Sequence, residues 1–481
     1  METDYLVAGA GTLGMGFVDT LLDHSDADVI IVDRNHGPGG HWLEAYPFVR
    51  LHQPSKNYGV NSTPLGRDRI EAEGRDEGFF ERASGLEICA YFDEVLRHRF
   101  LSSGRVRFLP MSDYLGDGRI RSQLTGEVAE VTVRCRVVDA TYMASRVPAT
   151  DPPPFTVDPG AVCIPAGRLV SVKEPPAGYV IIGAGKTAAD AVGWLLDRGT
   201  PPELISWIRP RDPWLLNRAY FQPGTGSLTT FGGIVTMLEA VAECDTAEDV
   251  FDRLEAGRIV VRLDATVRPS TVRGATVSLG ELGQLQRITN VVRMGHVLHI
   301  APHTISLEDG EVPTGPHHVH VHCASPGLGD NPPRPIFGDE RITLQPVTRA
   351  SISLSAGLLG LVEASGRSTA EKNRLCPPNM WFDTPFDWLR HILTGIRTEM
   401  GWAEAPDVGA WLEASRLNLL QGLPDGSRSE AASGLQVRFL DSLVPALAKL
   451  DRWAATASGP ERARIFDPPP ASGAAESPAR P

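Results

Sequence analysis

An α/β fold with two parallel-sheet halves and a helical C-terminal region is predicted from three features of this 481-residue sequence. A glycine-rich phrase, YLVAGAGTLGMGFVDTLL, stands at Tyr5 to Leu22, and a similar one, YVIIGAGKTAADAVGWLL, at Tyr179 to Leu196. From Phe386 onward, apolar residues recur at helical spacing. Each phrase sets a short apolar run before its glycines and a helical apolar pattern after them, the order in which a strand feeds a helix in a Rossmann-like dinucleotide-binding domain.

In the first unit, apolar runs at 5–9 and 28–32 flank Leu13, Phe17, Val18, Leu21 and Leu22, which predicts β-α-β. Gly9, Gly11 and Gly14 form G-x-G-x-x-G: one glycine for the tight turn, one for backbone approach to a pyrophosphate, one for close helix packing. The next strand ends in Asp33, 19 positions after Gly14, placed to accept ribose hydroxyls. The expected ligand is a resident dinucleotide, FAD. Strands follow in VRFLP and AEVTVRCRVVDA, then a Pro-rich crossing, PATDPPPF, near residue 150.

The second phrase contains Gly-Lys-Thr but is no P-loop, because the position that pattern reserves for its first glycine is Val180. It reads as G-x-G-x-x-A through Gly183, Gly185 and Ala188, with Lys186 and Thr187 opening the helix. Its second strand, LISWI, leads into Arg209 and Arg211 instead of an acid. Arginines there suit the 2′-phosphate of NADPH, the expected second ligand. A helical stretch is expected at about 230–290, then strands in GHVLHIAPHTISLEDG and HHVHVHCAS, and helices around 386–396 and 435–453. The expected domains are 1–150, FAD-binding, first part; 151–300, NADPH-binding with a helical insertion; 301–400, return to the FAD-binding domain; 401–458, helical; and 459–481, a disordered tail.

Composition narrows the function classes. A net charge of −13 without a basic cluster argues against nucleic acid. No apolar run reaches membrane-spanning length, and the first strand starts by Tyr5, so a cytoplasmic protein is expected. The six cysteines are far apart, which argues against a dithiol relay. His318, His320 and His322 share a strand face, but no nearby carboxylate completes a ligand set and no metal is predicted. No G-x-S-x-G elbow is present. Trp381, Phe382, Phe386 and Trp388 are expected in the core or in a substrate-pocket wall.

The acid-Arg pair Asp33-Arg34, followed by Gly39-Gly40-x-Trp42, resembles the flavin-containing, N-hydroxylating and Baeyer–Villiger monooxygenases over about the first 220 residues. The resemblance implies that Gly39, Gly40 and Trp42 pass near the FAD pyrophosphate and flavin. It places Gln53 where such enzymes carry an asparagine near flavin C4a, with His52, Tyr58 and Asn61 as neighbouring catalytic candidates. The reaction it implies is reduction of FAD by NADPH, addition of O₂ at C4a, and transfer of one oxygen to a small organic substrate. A non-oxygenating NAD(P)H-dependent flavin oxidoreductase and a non-catalytic nucleotide sensor or scaffold remain as alternatives, and an oligomer is open. The F-x-G-x-x-x-H signature of such monooxygenases is absent. The strand that in such enzymes usually ends in Ala-Thr-Gly near the second dinucleotide domain is expected at HVHVHCASPGLGD, without the threonine.

Overall fold

The computed structural model describes residues 1–324, 327, 331–349, 351–379, 381–424 and 429–456; the expected tail at 459–481 lies outside them. The first half is a five-stranded, wholly parallel sheet in the order Arg341–Thr343, Thr132–Asp139, Glu2–Ala8, Val29–Val32, Val106–Leu109. The second is built alike, in the order Val291–Val292, Ile205–Ile208, Gly178–Ile182, His318–His322, Val162–Pro165. Central strands such as Val29–Val32 are buried at every residue, as a parallel sheet covered on both faces requires. The chain thus carries two Rossmann-like dinucleotide-binding domains and a helical C-terminal region.

One face of the first sheet is covered by two helices in close contact, Thr12–His24 and Ile352–Ala364. The second is apolar nearly all round and almost wholly buried, and Ser351 caps its start by accepting from Leu354 N–H at 3.1 Å. Small residues set the approach: a Cβ on Gly360 would stand 2.5 Å from the Phe17 carbonyl oxygen, and one on Gly16 2.9 Å from Ala356 Cβ.

A third core lies beside the second half. The strands Pro213–Asn217, Val260–Arg262 and Thr271–Val277 form a small sheet. The helices Ser227–Glu243, Ala247–Ala256, Pro385–Gly401 and Glu430–Thr456 bury Leu238, Phe251, Leu389 and Leu443 around Trp214. Trp381, Phe382, Phe386 and Trp388 pack in this core.

Three expectations change. The stretch 230–290 is helical only to Ala256 and again over Leu279–Leu285, with two strands between, because β-branched runs at 260–262 and 271–277 pair with Pro213–Asn217. The chain does not return to the first half at 301: His318–His322 still pairs with Gly178–Ile182, and the first sheet regains a strand only at Arg341–Thr343. The helix Pro385–Gly401, assigned to that return, packs in the third core. No helix among the described residues is long and apolar enough to cross a membrane.

Candidate functional site

Both glycine turns follow one backbone plan. Gly9 N–H donates to Val32 O at 2.8 Å and Gly183 N–H to Ile208 O at 3.0 Å, so each turn hangs from the end of the neighbouring strand. Both glycines take positive φ, +106° and +124°, where a side chain would be strained. A Cβ on Gly9 would meet Thr141 Cγ2 at 3.1 Å; one on Gly183 would meet the Cys323 and Ala324 backbone at 3.2 Å. The Ala-Thr pair against the first turn is therefore Ala140-Thr141, which sequence reading passed over, while HVHVHCAS serves the second turn. Gly11 and Gly185 are N-caps with φ, ψ of −80°, −174° and −86°, −172°, and no side chain caps either helix. Such a helix start offers first-turn N–H groups and a positive dipole end to an anion. A Cβ on Gly14 would overlap the Gly9 carbonyl oxygen, which explains the third glycine. Its counterpart Ala188 is fully buried.

Around the first turn, buried Asp33 accepts from Ala10 N–H at 2.6 Å on Oδ2 and from Asn35 N–H at 2.8 Å on Oδ1. It braces the turn, and each oxygen keeps a lone pair for a ribose hydroxyl. Arg34 beside it is exposed. Gly39 N–H donates to Ala10 O at 2.9 Å, and Gly40 lies so near that a Cβ would stand 3.0 Å from Gly11 Cα. Trp42 Nε1 donates to the Tyr58 hydroxyl at 2.6 Å, and Thr12 Oγ1 shares a hydrogen bond with it at 2.5 Å. Burial pushes the Tyr58 phenol up to about 12. His41 stacks at a tilt on Trp42, with ring centroids 4.8 Å apart, and surrounding protein pushes its pKa down to about 4.

The other catalytic candidates sit apart from this network. Gln53 Nε2 donates to Asn57 O at 3.1 Å, bracing its own loop. Asn61 Oδ1 accepts from Ser415 Oγ at 2.8 Å. The His52 carbonyl accepts from Thr276 Oγ1 at 2.6 Å and Arg218 Nε at 3.3 Å. Burial, reinforced by Lys186, Arg218 and Arg82, holds the His52 imidazole well below its ordinary pKa and therefore neutral.

At the second turn, Trp207 Nε1 donates to Gly183 O at 2.7 Å. Lys186 pairs with Asp190, which also accepts from the Tyr46 hydroxyl at 2.7 Å, and Thr187 hydrogen-bonds the same tyrosine. The expectation of two arginines free for a phosphate needs correction. Arg209 is only 3% exposed, lies over the Trp207 ring at 5.2 Å and pairs with Asp212 at 3.1 Å, so it braces the strand end from inside. Arg211 is more exposed but pairs with Asp383 at 2.7 Å, a carboxylate that Arg273 shares at 3.0 Å.

Where the halves meet, sequence reading missed a buried charge cluster. Arg218, fully buried, pairs with Asp76 and, at 2.5 Å, with Glu281; Arg82 pairs with Asp76 at 2.5 Å and Glu281 at 3.2 Å. Two of its members, Arg82 and Glu281, line a cavity of about 290 Å³ together with Lys186, Asp190, Thr276 and Phe48. Burial disfavours the charged form of Glu281, but Arg218, Arg82 and Lys186 outweigh it and bring its pKa down to about 2. In the histidine run, His318 Nδ1 and His320 Nε2 both reach Thr314 Oγ1, at 3.2 and 2.8 Å. No group of three or more His, Cys, Asp or Glu that could hold a metal occurs among the described residues.

Because the Glu281 pKa is lowered by folding, the stability it contributes is present above its ordinary value of 4.5 and is lost as pH falls toward 2. In urea unfolding between pH 6 and pH 3, Glu281→Gln is expected to be less stable at pH 6 and to show a shallower acid slope below pH 4.5, the group's share approaching ~1.4 kcal/mol per pH unit. Parallel slopes for the two proteins would contradict this.

No protein-family model matches the chain. Two curated relatives, described as uncharacterized proteins of Mycobacterium tuberculosis and Mycobacterium bovis, are each 45% identical over 424 residues, 88% of this chain and 79% of theirs. Solved structures with a similar chain path include a cyclohexanone monooxygenase from Rhodococcus sp. bound to NADP⁺, at 14% identity and TM-score 0.46 over 92% of this chain and 98% of that one. A steroid monooxygenase bound to NADP is 16% identical with TM-score 0.47 over 76% and 85%, and a bacillithiol disulfide reductase from Bacillus cereus 10% identical with TM-score 0.44 over 76% and 98%. At TM-scores below 0.5 these likenesses bear on no reaction. With 45% identity across most of both chains, the protein belongs to the same family as the mycobacterial proteins.

Proposed function

We propose that the protein is an FAD-dependent, NADPH-using monooxygenase that transfers one oxygen atom of O₂ to a small organic substrate. The observation that carries this reading is the pair of glycine turns with one backbone plan, one braced by Asp33 and the other followed by Arg211, on two parallel sheets, with Tyr46 reaching from the first half to Asp190 beside the second turn. FAD would rest its pyrophosphate on the uncapped helix start at Gly11 and Thr12 and its ribose on Asp33, beside Gly39, Gly40 and Trp42. NADPH would rest its pyrophosphate on Gly183, Gly185, Lys186 and Thr187. When bound, the flavin supplies hydride acceptance and oxygen activation.

The chain's own groups position and protonate. Tyr58, with its phenol pKa raised, keeps its proton at neutral pH and stays a hydrogen-bond partner of Thr12 and Trp42. The neutral His52 imidazole has one ring nitrogen able to accept a proton and one able to donate. Of the two arginines, Arg211 is the better 2′-phosphate partner: when it turns away, Arg273 remains on Asp383.

The reading is tested on enzyme whose bound FAD has been bleached anaerobically with NADPH and then exposed to air. A monooxygenase is expected to reoxidise in two resolved phases, with hydrogen peroxide appearing only in the second. Single-phase reoxidation releasing peroxide at the same rate would favour the non-oxygenating oxidoreductase, and a protein that takes up no FAD would remove the flavin reading. For the arginine assignment, Arg211→Ala is expected to raise the KM for NADPH about tenfold while leaving NADH use within twofold, a loss of ~1.4 kcal/mol specific to the 2′-phosphate. Equal losses with both nucleotides would contradict it.

A further inference from the structure

The stretch His52–Asn61 carries every catalytic candidate, yet a residue far along the chain holds its backbone. Arg416 donates from Nη1 to Lys56 O at 2.5 Å, from Nη2 to Tyr58 O at 2.6 Å and Val60 O at 2.7 Å, and from Nε to Val60 O at 3.1 Å. One planar guanidinium thus takes the carbonyls of residues 56, 58 and 60 at once and fixes the backbone between them. The contact is reciprocal. Asn57 Nδ2 donates to Arg416 O at 3.1 Å and Asn418 O at 3.3 Å, Ser415 Oγ donates to Asn61 Oδ1 at 2.8 Å, and Leu417 between them is fully buried.

Arg416 makes no ion pair among the described residues; Asp19 and Asp68 act on it only at longer range, and its remaining partner is the Tyr91 hydroxyl at 3.5 Å. A largely buried cation held by neutral oxygens, with no carboxylate paired to it, is an expensive way to anchor a loop, since apolar packing or a neutral amide would avoid its desolvation. What it holds is specific. Tyr58 gives its carbonyl to Arg416 and its hydroxyl to Thr12, the first residue of the first glycine helix, and to Trp42.

We infer that Arg416 is a positioning residue of the proposed flavin site, locking the 56–60 backbone so that Tyr58 is held against the first glycine turn and Trp42. The inference rests on the flavin reading for its rate effect, but not for the clamp itself. Lysine cannot replace it, because a single ammonium on a flexible stem does not span three carbonyls.

The test uses the full chain supplied with FAD, as wild type, Arg416→Lys and Arg416→Ala. Amide exchange read by mass spectrometry is expected to rise about tenfold or more across residues 52–61 in both variants, with the strand 178–182 unchanged. The rate of flavin reduction at saturating NADPH is expected to fall about tenfold or more with the NADPH KM within twofold, since a displaced loop misplaces the reacting groups without touching the second turn. Added guanidinium at low millimolar concentration is expected to restore part of the rate in Arg416→Ala. If Arg416→Ala does not fold, Arg416→Lys, which keeps the charge and loses the fork, decides the matter. Unchanged exchange at 52–61, or exchange rising uniformly over the chain with no rate loss in folded protein and no rescue, would overturn the inference. Wild-type protein that takes up no FAD would refute the flavin reading, while the exchange result would still decide the clamp.

Discussion

The closeness with which each opening helix approaches the strand that feeds it is the constraint on which both halves depend. At Gly9 and Gly183 the backbone turns through positive φ while its N–H stays bonded to the neighbouring strand, and a side chain would strike the turn that follows Asp139 or His322. That geometry brings the helix start to the sheet edge with its first N–H groups uncapped. The same demand for closeness reaches the far side of the first helix, where Gly360 lets Ile352–Ala364 lie against Phe17. A helix displaced at either surface would carry the glycine turn with it.

The two halves are then fastened by charge. Arg82 and Asp76 come from the segment between Val29–Val32 and Val106–Leu109, Arg218 from the turn after Pro213–Asn217 and Glu281 from the helix Leu279–Leu285, and the two arginines donate to the neighbouring carbonyls of Leu51 and His52. Removing one member would leave the buried cluster with an uncompensated charge, which is costly, so the four residues hold one another in place. Arg416 works from the opposite side of the same loop. The loop therefore has little freedom of its own: its carbonyls and side chains are set by residues more than a hundred positions away.

This explains what was legible in the sequence and what was not. The β-α-β units, the glycine roles, Asp33, the two late helices and the strands at 106–109, 132–139 and 318–322 follow from local period and turn chemistry, and local signals suffice because each element's apolar face is written within it. The strands at 260–262 and 271–277 were hidden, since their short apolar runs carry no period that distinguishes strand from helix until Pro213–Asn217 pairs with them. The helix Ile352–Ala364 was hidden for the opposite reason: apolar on every side, it shows no amphipathic stripe. Arg209 was legible as a residue but not as a partner, because the carboxylate that occupies it, Asp212, gives no sign in sequence of turning inward. Arg416 and the Arg218 cluster have no sequence signal at all, being ordinary charged residues whose meaning lies in long-range contact.

The central claim, that each glycine turn cradles its own anionic nucleotide, is tested most directly by putting a carboxylate where the phosphate should lie. Gly11 and Gly185 have extended backbone that any residue adopts; a Cβ on Gly185 would meet nothing within 4 Å, and one on Gly11 only Gly40 at ordinary contact distance. An aspartate at either position would cap the helix, a change worth roughly a few tenths of a kcal/mol in favour of the fold because glycine is already an acceptable N-cap, while repelling a pyrophosphate. Equilibrium titration with FAD and NADPH is therefore predicted to show Gly11→Asp losing FAD, and Gly185→Asp keeping FAD but losing NADPH, with neither melting below wild type. FAD affinity untouched by Gly11→Asp, or both nucleotides lost together from either variant, would contradict the account.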